Sequence, residues 1–300
     1  MSVARAGRLP LIASLAVLLA AAAAHAAPRG PAARALTCSG THALPGVLAG
    51  VYPHDVHVKG TCDVDAGRAT VHGELLVLPG GTLVAAYAID DRSHRGTSSL
   101  TVDGSLRVER GAAAILGCEP GHLVCLDDPN QASPTLSSEV RIKGSLRARQ
   151  AQGVVVHDAV VLGSVTQIGG GGGLVCQPTG IFTALQDPVY SDYEDITIRG
   201  SLTISGLSSC WLGVARVKVG GSLDVLSDQL ADPDAIEILS NTIAGNLACS
   251  QDSHVWDSSD VYSSVYPRVD DPNTVHGRRS GQCVLVSPTA EGGGLGPGPF

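Results

Sequence analysis

Aromatic residues are scarce in this chain: Phe, Trp and Tyr together make up 3% of its 300 residues, although 44% are hydrophobic. An interior without large rings has to be built from Val, Leu, Ile and Ala. That suits a thin, repetitive core in which stacked aliphatic side chains fill a narrow tube. It suits a sugar-binding cleft lined by aromatic faces poorly. Lysine is nearly missing as well, with only Lys59, Lys143 and Lys218, and acidic residues outnumber basic ones 28 to 20. A chain of that sign repels nucleic acid and anionic lipid, so neither is an expected partner. The sequence also lacks a Walker loop, a dinucleotide fingerprint and a Gly-x-Ser-x-Gly nucleophile elbow. Its glycines fall between strands rather than ahead of helices, so no cofactor is expected.

The N-terminus carries the one long apolar run. Arg5 and Arg8 precede an apolar stretch over 11–23, and Ala24-His25-Ala26 supplies small residues for a cut before Ala27. This is the layout of a secretory signal peptide over 1–26. The run is short of the about 20 residues that span a bilayer. An uncleaved anchor, lengthened by the flanking alanines, is the alternative. No Cys follows the run, which argues against lipoprotein processing, and no later segment is apolar enough to cross a membrane. Cleavage leaves 18 basic against 28 acidic residues, a net charge of −10. The expected organisation is then a β-solenoid domain over 27–290 and a Gly/Pro-rich tail over 291–300.

All eight cysteines fall in the exported part: Cys38, Cys62, Cys118, Cys125, Cys176, Cys210, Cys249 and Cys283. An even number in an exported chain predicts disulfides. Their order favours four local pairs, and Cys176 to Cys210 and Cys249 to Cys283 share a separation of 34.

One phrase recurs through the chain. VHVKGTCDV (56–64), VHGELLV (71–77), LTVDGSLRV (100–108), VRIKGSLRA (140–148), ITIRGSLTI (196–204), VKVGGSLDV (217–225) and NTIAGNLAC (241–249) each set a glycine between alternating apolar residues. A degenerate copy follows at Thr274-Val275-His276-Gly277. Gly60, Gly81, Gly104, Gly144, Gly163, Gly200, Gly221 and Gly245 are separated by 21, 23, 40, 19, 37, 21 and 24 residues. The two long gaps are close to twice the short ones. A unit of 19–24 residues is the length of one turn of a parallel β-helix. In LTVDGSLRV, period two puts Leu100, Val102, Leu106 and Val108 inside and Thr101, Asp103, Arg107 and Glu109 outside. Gly104 is expected to supply a backbone conformation that a side chain disfavours. Helix fits poorly, and the one helix-friendly stretch, 227–240, is broken by Pro233.

Energetics explain the copy number. One turn buries about four aliphatic side chains, worth roughly 6–10 kcal/mol. Ordering its twenty-odd residues costs on the order of 20–40 kcal/mol of backbone entropy. A turn therefore folds only against its neighbours. A β-sandwich or barrel with glycine-marked hairpins is the alternative architecture, although it requires neither a constant period nor one parity around every glycine. Longer excursions interrupt the repeat at 119–138, 177–195 and 251–273, the last holding Trp256, Tyr262 and Tyr266. The run 169–173 reads as a flexible entry to the second.

Several constellations merit weighing for chemistry. Cys118, His122 and Cys125 offer two thiolates and an imidazole to zinc, but the spacing matches no standard knuckle, and a Cys118–Cys125 disulfide is favoured. Asp-Asp-Pro-Asn occurs at 127–130 and 270–273, where Asp127 and Asp270 head pairs of carboxylates fit for calcium or acid–base work. Turn chemistry accounts for both copies, and for Asp90-Asp91-Arg92. His54 and His57 lie three apart on a strand and so face opposite ways. Arg141-Ile142-Lys143 resembles the basic motif of polygalacturonases, but the companion Asn-Thr-Asp and Gly-His-Gly motifs are missing and the repeat itself accounts for it. No catalytic, cofactor or metal residue is expected from these motifs.

The C-terminal units 241–249 (NTIAGNLAC) and 273–283 (NTVHGRRSGQC) resemble those of a group of secreted, uncharacterised actinobacterial proteins with the same Gly-Ser-Leu phrase. More loosely, the strand–Gly–strand turns look like bactofilins, polymer-forming β-helices. The resemblance implies a β-helix and brings no activity with it. The expected function is a secreted structural or surface-exposed module, partnered by a cell-wall or extracellular polymer. The alternatives are a polysaccharide lyase or hydrolase and a self-assembling polymer.

Overall fold

The computed structural model describes residues 34–121, 123–232, 236–253, 255–257 and 272–284. The expected signal peptide, His25, His122, Pro233, Tyr262, Tyr266, Asp270, Asp271 and the tail over 291–300 lie outside the described residues. The described chain is a parallel β-solenoid. It passes in fixed rotation through three sheets, A, B and C, and every inter-strand ladder is parallel. Sheet A runs from Leu36–Gly40 to Arg279–Gly281, sheet B from Gly46–Val47 to Val255–Asp257, and sheet C from Gly50–Tyr52 to Thr274–Val275. Strand Val56–Asp63 bends from A into B and serves both. Among the described residues no helix is long and apolar enough to cross a membrane.

Register stacks like on like. In sheet A the pairings join Val56, Leu75, Leu106, Leu146, Val165, Leu202, Leu223 and Leu247 into one buried column. In sheet C, Val71, Val102, Ile142, Val161, Ile198, Val219 and Ile243 do the same. Successive coils sit about 4.8 Å apart, the strand spacing of any sheet, so each aliphatic side chain closes on one above and one below. One polar group interrupts the bore: Gln167 donates to the Ser191 hydroxyl at 2.8 Å and accepts from the Tyr193 hydroxyl at 2.8 Å.

The Gly-Ser-Leu phrase marks the corner from C to A. Each corner amide donates to the glycine carbonyl one coil earlier, as Gly144 to Gly104 at 2.8 Å and Gly245 to Gly221 at 2.7 Å. Each following serine hydroxyl accepts the next coil's amide, as Ser105 from Ser145 at 3.1 Å and Ser201 from Ser222 at 3.1 Å. Gly104 is expected to supply a conformation that a side chain disfavours, yet none of these glycines has a left-handed φ. They are needed because the stacked backbones approach too closely: a Cβ on Gly144 would stand 2.5 Å from the Gly104 carbonyl oxygen. Gly60 and Gly81 belong to the next corner, A to B, and Gly60 does carry a left-handed φ of 77°. The corner from B to C is turned instead by left-handed residues such as Asp158, Asp195 and Arg216. Near the C-terminus that corner is capped by Asn241, which accepts the Val217 amide at 2.8 Å, and by Asn273, which accepts the Asn241 amide at 2.9 Å.

Two spacing expectations need correction. The long glycine gaps are single coils, not doubled ones, since Leu100 pairs directly with Val140 and Ala159 with Ile196. Their extra length leaves the solenoid as inserts. Each coil also has a third strand, in sheet B, that the Gly-Ser-Leu copies of the phrase do not contain. The expected excursion 177–195 accordingly ends early, because Tyr190–Glu194 is a sheet B strand and Phe182–Leu185 a short helix. The glycine run 169–173 is not a loose entry: Gly171 donates to Ala151 at 2.8 Å and Gly173 to Ser208 at 2.9 Å. The stretch 227–240 supplies strands Gln229–Leu230 and Ile236–Leu239.

The cysteines pair as Cys38–Cys62, Cys118–Cys125, Cys176–Cys210 and Cys249–Cys283, and no free cysteine is left. Their placement follows the stacking. Among the described residues Cys38–Cys62 joins the first coil to the second, and Cys249–Cys283 joins the last two described coils, where a described strand has a neighbour on one side only. The other two tie down inserts. A closed loop of 34 residues restricts the unfolded chain by about 3–4 kcal/mol. Four disulfides belong to a chain that matures in an oxidising environment.

Candidate functional site

Sheets A and C alternate buried and exposed residues, whereas the middle strands of sheet B are buried on both faces. Strands Thr82–Ala85, Ala113–Leu116, Gly153–Val156, Tyr190–Glu194, Trp211–Ala215 and Ile236–Leu239 are buried at every position. One face lines the bore and the other lies under inserts. Phe182 of the short helix meets Tyr190 edge-on at 5.5 Å between ring centroids, and Tyr190 meets Trp211 at 5.9 Å. The Leu126 amide donates to Ala86 at 3.0 Å, drawing the insert 117–139 onto 86–98. Three of the chain's ten rings are therefore spent on this one face.

The outward column of sheet B follows from its pairings: Asp63, Val84, Ile115, Val155, Asp192, Gly213 and Glu237. The neighbouring column contributes His157 and Glu194. Carboxylates on such a covered face are costly unless paired, and two polar nests hold them.

The first nest centres on His157, which is 2% exposed. Its Nε2 lies 3.0 Å from Asp192 Oδ2 and its Nδ1 3.1 Å from Glu194 Oε2, with Glu119 at 3.7 Å. Burial pulls the imidazole pKa down, but the Asp192 and Glu119 carboxylates outweigh it and hold the group above its ordinary 6.5. Arg216 closes the nest from the corner, bonding Glu194 and clasping Asp195 through Nε at 2.8 and 3.0 Å. The donor atoms of His157, Asp192 and Glu194 lie within 4.8 Å of one another, a spacing a cation can bridge. The two carboxylates, however, address opposite nitrogens of one ring. That is the geometry of an imidazolium clamped between anions, and a metal taking one nitrogen faces one carboxylate. Cys176, Cys210 and Asp232 are also near one another, but both sulfurs are in a disulfide.

The second nest is Asp63 with Tyr87. The Tyr87 hydroxyl donates to Asp63 Oδ2 at 3.2 Å, and Asp63 Oδ1 has no hydrogen-bond partner among the described residues. Burial raises the Asp63 pKa from 3.8 to about 6, the Tyr87 hydroxyl opposes that, and Asp65 adds to it. The pair borders a cavity of about 400 Å³ between sheet B, the short helix and Leu126.

The motifs singled out by spacing take structural places. Asp127 accepts the amides of Ala88 and Ile89 at 2.9 and 2.6 Å, and Asp128 those of Asn130, Thr135 and Leu136. Asp90 accepts the Arg92 amide at 2.9 Å. Arg141 and Lys143 pair with Glu139 and Asp103 at the surface, around buried Ile142. Cys118 and Cys125 are joined, so neither offers a thiolate. Sequence reasoning missed His157, Asp192, Glu194, Asp63 and Tyr87. Their signal was the unassigned third of each coil, together with the clustering of Tyr, Asp and Glu in YSDYE at 190–194. Comparison with protein-family models, with curated proteins and with solved structures finds no match to this chain.

Proposed function

We propose that this is an exported β-solenoid that serves as a structural or surface-displayed module outside the cell. Its working face is the insert-covered side of sheet B, turned toward a cell-wall or extracellular polymer. The observation that carries the reading is the placement of the four disulfides at the solenoid ends and inserts, the points where stacking is weakest. A chain stapled there is built for an oxidising space. The signal-peptide pattern at 1–26 and the resemblance to secreted actinobacterial repeat proteins support export. Cell fractionation with thiol titration of the recovered protein tests it. Protein outside the cell with essentially no free thiol is expected; cytoplasmic protein with several free thiols rejects the proposal.

One observation favours a second reading, a polysaccharide-processing enzyme: Asp63, Asp192 and Glu237 share one column of one face. Asp192 and Glu237 are each 1% exposed, which places them under cover and closed to a polymer chain in this conformation. Turnover of any member of a polysaccharide panel that disappears in Asp192→Asn would establish the enzyme reading over the module.

A further inference from the structure

Of the two nests, the Asp63 nest opens to a cavity, and it is made of the wrong materials for a merely structural filler. Its floor is the outer face of sheet B, with Thr61 and Val84 beside Asp63. Its walls are apolar, formed by Leu126 from the insert 117–139 and by Ile181 and Leu185 around the short helix. Into this setting Asp63 brings a carboxylate on a residue 6% exposed, with one oxygen held by Tyr87 and the other without a partner. A buried acceptor left unmatched is expensive, and beside a cavity a ligand's donor can complete it. Among the described lining residues there is no Lys or Arg and one His, His42, and Asp65 adds negative charge nearby. A cation is therefore the favoured complement, and the aliphatic walls call for an apolar body behind it.

We infer that this cavity binds a small organic amine, its ammonium group donating to the Asp63 carboxylate and its hydrocarbon part lying between Val84, Leu126 and Leu185. About 400 Å³ accommodates a molecule of roughly the size of an aryl-alkyl amine with space to spare. Specificity comes from charge: a neutral alcohol of the same shape can donate one hydrogen bond but meets the carboxylate without a compensating ion. A charge-assisted bond exceeds a neutral one by enough to separate the two by about tenfold or more.

The test uses the full exported chain with its disulfides intact, phenethylamine and tryptamine as probes, and 2-phenylethanol as the neutral control, followed by titration calorimetry and ligand-observed NMR. Amine binding at pH 7.5, about tenfold or more weaker for the alcohol, is expected. Binding weakens as pH falls below about 6, where Asp63 takes up a proton. Asp63→Asn should remove the preference for amine over alcohol. A second variant, Leu185→Trp, fills the cavity from its half-buried wall and should abolish binding of both probes while leaving the folded spectrum intact. Equal affinity for amine and alcohol, an unchanged preference in Asp63→Asn, or no amine binding at millimolar concentration overturns the inference.

Discussion

Asp63 is held against the interest of stability, and the cost is measurable. Its carboxyl has a pKa of about 6 in the folded chain against 3.8 for an ordinary Asp. Below pH 3.8 both folded and unfolded chains hold the proton and Asp63 makes no demand. Between 3.8 and about 6 the unfolded chain has released the proton and the folded chain has not, so stability falls as pH rises. Above about 6 the loss is complete. At about 1.4 kcal/mol per pH unit, the full loss is on the order of 3 kcal/mol, a ceiling because other buried carboxyls titrate beside it. Asp63→Asn keeps the shape and removes the charge. Urea unfolding of both proteins, followed by circular dichroism with disulfides intact, should give nearly equal stabilities at pH 4. At pH 8 the variant should be more stable by about 2–3 kcal/mol. Parallel stability curves across that range, or a variant weaker by the same amount at both ends, would refute the reasoning and make Asp63 an ordinary structural acceptor for Tyr87.

Three further outcomes are expected. His157→Gln leaves Asp192 and Glu194 without their shared cation and should cost about 3–5 kcal/mol near pH 6. Because the His157 pKa is raised, that wild-type advantage is full below 6.5 and shrinks as pH climbs through the folded value, which denaturation at pH 6 and pH 9 will read out. Gly144→Ala should cost about 1–3 kcal/mol through collision with the Gly104 carbonyl. Gly206→Ala, at a φ of 66° in open space, should cost about 1 kcal/mol from backbone strain alone. Equal thermal shifts in the two glycine variants would mean that the corner ladder is not close-packed. The first described coil exposes Leu36, Leu44, Val47 and Val51 beside strand edges paired on one side, so reversible self-association is expected to appear as sedimentation mass rising with concentration. A constant monomer mass up to millimolar protein rules it out.

The corner phrase shows how much of the architecture is local. Gly-Ser-Leu reads directly from the sequence because each residue does the same job in every coil: glycine for backbone approach, serine for the hydroxyl ladder, leucine for the bore. Repetition amplifies such a pattern until it stands above the background. The physical reason for the glycine was still misjudged, since a close approach between coils and a left-handed φ both demand a missing Cβ and only coordinates tell them apart. The Asn of the C-terminal units is a further local signature, visible as a motif and understood only once its amide is seen capping the coil before it.

Sheet B was hidden for the opposite reason. A strand covered on both faces loses the period-two alternation that reveals strands, so AAIL at 113–116 and YSDYE at 190–194 carry no readable phase. Its functional residues are distributed as well: His157 meets Asp192 and Glu194 across coils, and Asp63 meets Tyr87 one coil on. The sequence by itself determined that the chain coils, where one corner of each coil lies and that its cysteines staple it. Only the tertiary structure decided which face the inserts cover and which acids share it, because those contacts join residues tens of positions apart that no local pattern couples.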